Sequence, residues 1–108
     1  MELNEYLKQA ITTKIYPAGL AIPYVTLGLM GEAGEVAEKV KKIIRDNNGE
    51  ISEEQRLNLG KEIGDVLWYV AALCDELNLD FNQVAQDNID KLQSRKERGV
   101  LGGSGDHR

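Results

Sequence analysis

The chain is poor in the side chains that build disulfides and transition-metal centres. It has one cysteine, Cys74, and one histidine, His107, among 108 residues. A single cysteine excludes an internal disulfide and a zinc site built from cysteines, and we expect Cys74 to be a buried, inert thiol on a helix. A ferritin-like di-iron centre needs Glu-x-x-His motifs, which one histidine near the chain end does not provide.

Long apolar runs and an excess of positive charge are also missing. No stretch approaches the roughly 20 apolar residues that span a bilayer, and the first ten residues, MELNEYLKQA, lack the basic start and apolar run of a signal peptide. The net charge is −5, whereas binding to a nucleic acid backbone requires a basic surface. We therefore expect a cytoplasmic protein that binds neither a membrane nor a nucleic acid polymer.

Convincing strands are absent as well, because the apolar residues recur at helical spacing. The predicted helices span residues 3–14, 25–46, 52–77 and 81–97. Pro17 and Pro23 interrupt the first connection, and Ser52 with Gln55 forms a capping-box pattern before the third helix. Helices joined by short turns favour antiparallel neighbours, so the predicted fold class is an all-α, four-helix-bundle type.

Two regions follow from this pattern, a helical domain at residues 1–98 and a glycine-rich tail at residues 99–108. The tail, GVLGGSGDHR, contains four glycines, which favours disorder over regular structure. The alternative is that backbone N–H groups of its GSGD segment fold over phosphates. No role follows for His107.

Two pairs of acidic residues lie at helical spacing on the second and third helices. Glu32 and Glu35 border the apolar face of the second helix, and Glu62 and Asp65 lie beyond the edge of the third. The predicted apolar faces are Leu29, Ala33, Val36, Ala37, Val40 and Ile44, and then Leu59, Ile63, Val66, Leu67, Val70, Leu73, Cys74 and Leu77. Glu35 lies about 14 residues before Gly49 and Glu62 about 13 after it, so antiparallel packing places the pairs at similar heights.

Four carboxylates that face one another repel strongly unless a divalent cation lies between them. Oxygen donors select a hard cation, so the sequence predicts Mg²⁺, with Mn²⁺ as a possible substitute. The alternative is a solvated acidic border, which suffices for either pair alone but not for two matched pairs. Gly31, Gly34 and Gly64 stand beside these acids, and we expect them to leave space for a helix, a hydrated cation or a phosphate.

Two segments, GLMGEAGEVAEKVKK and GKEIGDVLWYVAAL, resemble the MazG-like all-α nucleoside triphosphate pyrophosphohydrolases, relatives of dimeric dUTPases and phosphoribosyl-ATP pyrophosphohydrolases. The resemblance covers about residues 27–98 and implies that Glu32, Glu35, Glu62 and Asp65 coordinate Mg²⁺. It also implies hydrolysis of a nucleoside triphosphate to the monophosphate and pyrophosphate. Many members carry an additional acid directly before the first pair, where this chain has Gly31, so the role of that acid is not transferred.

A basic row on the fourth helix is the predicted phosphate contact. Asn88, Lys91, Arg95 and Arg98 project within roughly 80° of one another, and Arg and Lys suit polyphosphates. The resemblance supports substrate binding by Asn88, Lys91 and Arg95, because an Asn-x-x-Lys and a following Arg recur there. The alternative is a charged face that balances an acidic protein.

Three further expectations concern single residues and the assembly. Glu38, one turn beyond Glu35, is a candidate for positioning the attacking water, and Trp68 is expected at a subunit interface, with stacking on a nucleobase as the alternative. Apolar residues on more than one side of the third helix favour a homodimer or homotetramer. The alternative functions are a related hydrolase acting on dUTP or phosphoribosyl-ATP, and a non-catalytic helical partner-binding module.

Overall fold

The computed structural model describes residues 1–108 and contains four α-helices and no strand, as the sequence predicts. The helices are α1 at Leu3–Ala10, α2 at Ala21–Asn47, α3 at Glu53–Glu76 and α4 at Phe81–Glu97. Two short 3₁₀ turns, Ile11–Thr13 and Ala18–Leu20, connect α1 to α2. None of the helices combines the length and apolar character that crossing a membrane requires.

The starts and ends of the helices follow local chemistry. The capping box is confirmed, because the Gln55 amide donates to Ser52 Oγ at 3.2 Å and the Ser52 amide donates to Gln55 Oε1 at 2.9 Å. At the end of α2, Asn48 has φ 53° and Gly49 has φ 79°, the left-handed conformation that stops a helix. The bounds of the first two helices differ from the predicted ones. The α1 helix ends at Ala10 rather than at residue 14, and α2 begins at Ala21 rather than at residue 25. Pro23 therefore lies in the first turn of α2, where a proline is tolerated.

The α2 and α3 helices form an antiparallel pair, and α1 packs on the second half of α3. A small core of Ala71, Cys74 and Phe81 lies beneath α1. Asn4 fastens α1 to the start of α4, since its Oδ1 accepts the Phe81 amide at 3.0 Å and its Nδ2 donates to Asp80 Oδ1 at 3.0 Å. Cys74 is buried as expected, and burial raises the pKa of its thiol.

The predicted apolar faces of α2 and α3 are only partly covered. On α2 the buried residues are Ala21, Val25 and Ile43, whereas Ile44 is 61% exposed. On α3, Ile63 is 58% exposed. The α2 helix is turned so that its acidic edge, rather than the centre of its apolar stripe, faces α3. A helix pair buries one face of each helix, so the rest of the apolar stripe remains at the surface.

The C-terminal tail adopts a compact set of turns, which corrects the expectation of disorder. The Arg108 guanidinium donates to the carbonyl oxygens of Val100 at 3.1 Å and Leu101 at 3.1 Å, and to two glycine carbonyls. Arg95 Nη2 donates to the Asp106 carbonyl at 2.8 Å. One guanidinium therefore organises the tail, and another ties it to the end of α4.

Candidate functional site

The two central helices bring three of the four predicted acidic ligands into one cluster. Glu32 and Glu35 come from α2 and Glu62 comes from α3, and one carboxylate oxygen from each lies within 4.8 Å of the others. Asp65 is outside this group but lines the same cavity as Glu32. The spacing of three residues within each pair and the antiparallel arrangement across the turn account for this meeting.

Close contact between the helices is made at Gly28 rather than at the glycines the sequence singled out. A Cβ atom added at Gly28 would lie 2.1 Å from Tyr69 Cε1, so only glycine lets the Tyr69 ring pack there. Gly31, Gly34 and Gly64 have no atom within 4 Å of such a Cβ position. No neighbouring helix of the same chain therefore fills the space at these three glycines, and its use by a hydrated cation or a phosphate stays a prediction.

The electrostatics of the cluster disfavour four free carboxylates. Burial raises the pKa of Glu32, and the negative charges of Glu35, Asp65 and Glu62 raise it further. The pKa of Tyr6 is also raised, first by burial and then by the charge of Asp65. A cation placed among these carboxylates would offset both the burial and the repulsion.

Two buried oxygen atoms of the cluster have no hydrogen-bond partner, Glu32 Oε2 and Glu62 Oε2. A buried, unpartnered carboxylate oxygen costs free energy. One positive charge reaches the cluster, because Lys39 Nζ lies 3.1 Å from Glu62 Oε1. The donor set is made only of oxygen atoms, which suits a hard divalent cation.

An aromatic cavity of about 390 Å³ opens beside the acids. Its lining comprises Thr13, Ile15, Tyr16, Tyr24, Glu32, Asp65, Trp68 and Tyr69. The aromatic rings pack against one another in pairs. The Trp68 ring lies edge-on to the Tyr69 ring with 5.0 Å between their centroids, and the Tyr16 ring stacks on the Tyr24 ring with 5.2 Å between theirs. The cavity thus joins a negatively charged wall to flat apolar walls.

Trp68 forms hydrogen bonds within one chain, and its expected place at a subunit interface stays a prediction. Its indole Nε1 donates to the Ala10 carbonyl at 3.1 Å and to Thr13 Oγ1 at 2.9 Å. These bonds attach the segment after α1 to α3 and hold the indole beside the cavity. The helical pattern did not reveal Tyr16 as a residue of the cavity, because Tyr16 lies in the irregular connection between α1 and α2.

Glu38 does not join the acidic cluster. Its Oε1 accepts a hydrogen bond from Lys41 Nζ at 2.8 Å on the exposed side of α2. This bond lowers the pKa of the Glu38 carboxyl. Its role in positioning water stays a prediction.

The basic row does not reach the acidic cluster within one chain. The α4 helix contacts α1 and α3 but not α2. Asn88 and Lys91 line a shallow cavity on α4 with Val84 and Asp87. Arg95 is buried beneath the tail at 7% exposure. Its guanidinium donates a hydrogen bond to the Asp106 carbonyl in the tail, and this position differs from the expected contact with the substrate.

Comparison with known proteins places this arrangement in a family. The sequence profile of the MazG nucleotide pyrophosphohydrolase domain matches residues 24–100, and the chain belongs to this family. The Gene 37 protein of Mycobacterium phage L5 is 50% identical over 114 residues, covering 100% of both chains. The uncharacterized protein YvdC of Bacillus subtilis (strain 168) is 36% identical over 81 residues, covering 69% of this chain and 76% of YvdC. No solved structure matches the chain.

Proposed function

We propose that the chain is a Mg²⁺-dependent nucleoside triphosphate pyrophosphohydrolase that releases a nucleoside monophosphate and pyrophosphate. Its family supports the reaction class. The observation that carries the proposal is the position of the acidic cluster directly beside the aromatic cavity. A nucleotide has a charged end and a flat aromatic end, and the two adjoining surfaces match them.

Glu32, Glu35 and Glu62 would hold the cation, with Asp65 as the fourth ligand that the family resemblance implies. Two buried oxygen atoms without partners support this assignment, and Mn²⁺ is the expected substitute because it accepts similar oxygen ligands. When bound, a divalent cation supplies charge neutralisation for the phosphates and lowers the pKa of a water molecule.

The side chains of this chain would orient the substrate for in-line attack. The base would stack on the rings of the cavity, Trp68 among them, which directs the triphosphate towards Glu32 and Asp65. The water oxygen would then bond to the α-phosphorus and lose a proton to the solvent, while the bond from that phosphorus to the oxygen bridging to the β-phosphate breaks. Pyrophosphate leaves with the bridging oxygen.

The test is pyrophosphate release from a panel of nucleoside triphosphates that includes dUTP, with phosphoribosyl-ATP as a further substrate, each with Mg²⁺ and with EDTA. We expect metal-dependent release from at least one substrate. Glu35→Gln and Asp65→Asn should abolish turnover without changing the helical circular dichroism. Glu54→Gln is the matched control, since Glu54 is exposed at the start of α3 and should leave turnover unchanged.

Two results would contradict the proposal. The first is a complete absence of metal-dependent release from every substrate in the panel. The second is the absence of any Mg²⁺-dependent rise in Tm, because a cation that binds only the folded state must stabilise it. Together they would favour a non-catalytic helical module.

A further inference from the structure

A second cavity lies between α2 and α3, towards the turn that joins the two helices. Its lining consists of Lys39, Lys42, Ile43, Gln55, Asn58 and Leu59. We call it the basic pocket, because two lysines line it and no carboxylate does. Its volume is about 170 Å³, which is below the roughly 300 Å³ at which sites for drug-sized molecules begin. The basic pocket therefore suits a small polar group rather than a whole nucleoside.

The polar side chains of the basic pocket offer hydrogen-bond donors. Lys42 forms no ion pair within the chain. The Gln55 Oε1 atom accepts the Ser52 amide at 2.9 Å, which leaves the Gln55 Nε2 group as a donor, and Asn58 adds a second side-chain amide from the exposed surface of α3. Ammonium and amide N–H groups are donors that bind phosphate oxygen atoms. The pocket thus matches an anion with several oxygen atoms.

Lys39 joins the basic pocket to the acidic cluster. It lines the pocket, and its Nζ atom lies 3.1 Å from Glu62 Oε1. The side chain is 46% exposed, and its flexible stem allows the ammonium to turn from the carboxylate into the pocket. Positive charge held by the carboxylates would favour this turn through repulsion. The cations of α4 have no such link within the chain, since α4 does not contact α2.

The aromatic cavity, the acidic cluster and the basic pocket follow one another along the groove between α2 and α3. On α2 the two lysines of the pocket come four and seven residues after Glu35, and on α3 its two amides come four and seven residues before Glu62. This spacing places each set on one face of its helix, with Lys42 about 10 Å beyond Glu35 along the axis. Tyr24, in the aromatic cavity, lies eight residues before Glu32, on the other side of the acids.

A nucleoside triphosphate has its parts in the same order along its length. With the base in the aromatic cavity and the α-phosphate at the acidic cluster, the β- and γ-phosphates extend towards the basic pocket. We propose that the basic pocket binds these two phosphates and, after hydrolysis, the pyrophosphate that leaves. Lys39 and Lys42 supply the positive charge, and Asn58 donates from the opposite wall. The identity of the ligand rests on the proposed function, whereas the affinity of the pocket for a polyphosphate does not.

Inorganic tripolyphosphate, with Mg²⁺ in excess, tests the basic pocket without turnover. Lys42→Met should weaken its binding on the order of tenfold, because a charge-assisted hydrogen bond is lost. Lys42 is exposed, so the fold is preserved. Lys41→Met is the matched control, since it removes the same charge from the next position, where the lysine is paired with Glu38, and it should leave the affinity nearly unchanged. Isothermal titration calorimetry measures both. No binding by the wild type, or equal affinities of the wild type and Lys42→Met, would overturn the proposal.

A charge added on the α3 wall tests the same pocket from its other side. Asn58→Asp should also weaken the binding of tripolyphosphate, because the new carboxylate repels the phosphates. Asn78→Asp is the control, since it adds the same charge at an exposed position beyond the far end of α3. If tripolyphosphate binds the two aspartate variants equally well, the phosphates do not lie in the basic pocket and the proposal is wrong.

Product inhibition identifies which part of the substrate the basic pocket holds. Lys42→Met should raise the inhibition constant of pyrophosphate on the order of tenfold and leave that of the nucleoside monophosphate unchanged, because the monophosphate has no β-phosphate. An equal rise for both products would overturn the proposal, since it would place Lys42 at the α-phosphate. A protein that binds tripolyphosphate through Lys42 but hydrolyses no substrate would count against the proposed function alone.

Discussion

Lys39 Nζ lies 3.1 Å from Glu62 Oε1 across the interface between α2 and α3, and this is the one ion pair formed by any of the four predicted acidic ligands. The Lys39 side chain is 46% exposed, so it can turn to solvent without disturbing the core. Its ammonium therefore holds the position in which a cation would offset the charge of Glu62.

Lys39→Met should strengthen the binding of Mg²⁺ or Mn²⁺ by on the order of tenfold, because the bound ion no longer faces a nearby positive charge. Isothermal titration calorimetry measures the change directly. Lys41→Met is the matched control, since it removes the same charge from the same helix but from a side chain paired with Glu38. Weaker metal binding by the Lys39 variant would show that the ammonium assists the ion rather than competing with it.

Glu32→Gln should raise the Tm of the metal-free protein near neutral pH. The folded-state pKa of Glu32 is raised by burial and by neighbouring acids, so the folded protein binds more protons than the unfolded protein between about pH 4.3 and the raised value. Stability therefore falls as the pH rises through this window. We expect the advantage of the variant, a few degrees in Tm, to vanish below about pH 4.3.

Thermal unfolding in EDTA from pH 4 to 8 measures this difference, and added Mg²⁺ should reverse it, because only the wild type keeps all its metal ligands. An advantage that is the same at every pH would mean that the amide changes packing rather than charge repulsion.

Gly28→Ala should destabilise the protein by about 1–3 kcal/mol, since the new methyl group overlaps the Tyr69 ring and separates α2 from α3. Chemical denaturation measures the free energy of unfolding. Gly31→Ala is the control, because no atom lies within 4 Å of the Cβ that this substitution adds. It should stabilise the helix by up to about 1 kcal/mol. If Gly28→Ala lowers the free energy of unfolding by the same amount in a Tyr69→Ala background as in the wild type, the overlap with the Tyr69 ring is not the cause of the destabilisation.

Features that depend on a few adjacent residues could be predicted from the sequence. The capping box of Ser52 and Gln55 is an example, since both partners lie within one turn. The all-α class and the stop at Gly49 also depend on local chemistry. The register of the hairpin then follows, and with it the approach of Glu35 to Glu62.

Features that depend on which face of a helix is covered could not be predicted. Ile43 is buried and Ile44 is exposed, although both fit an apolar stripe, because α2 turns its acidic edge towards α3. The contact at Gly28 was missed for the same reason, since its partner, Tyr69, lies on another helix. A pattern within one helix carries no information about the shape of its neighbour.

Trp68 provides a direct test of the base site, because it is the only tryptophan of the chain and it lines the cavity beside Glu32. A nucleoside triphosphate analogue with a methylene bridge between the α- and β-phosphorus should change its fluorescence in a saturable way when Mg²⁺ is present, since a stacked base alters the surroundings of the indole. Tripolyphosphate with Mg²⁺ occupies the charged end but has no base, so it should leave the emission nearly unchanged. Equal responses to both ligands would place the base outside the aromatic cavity.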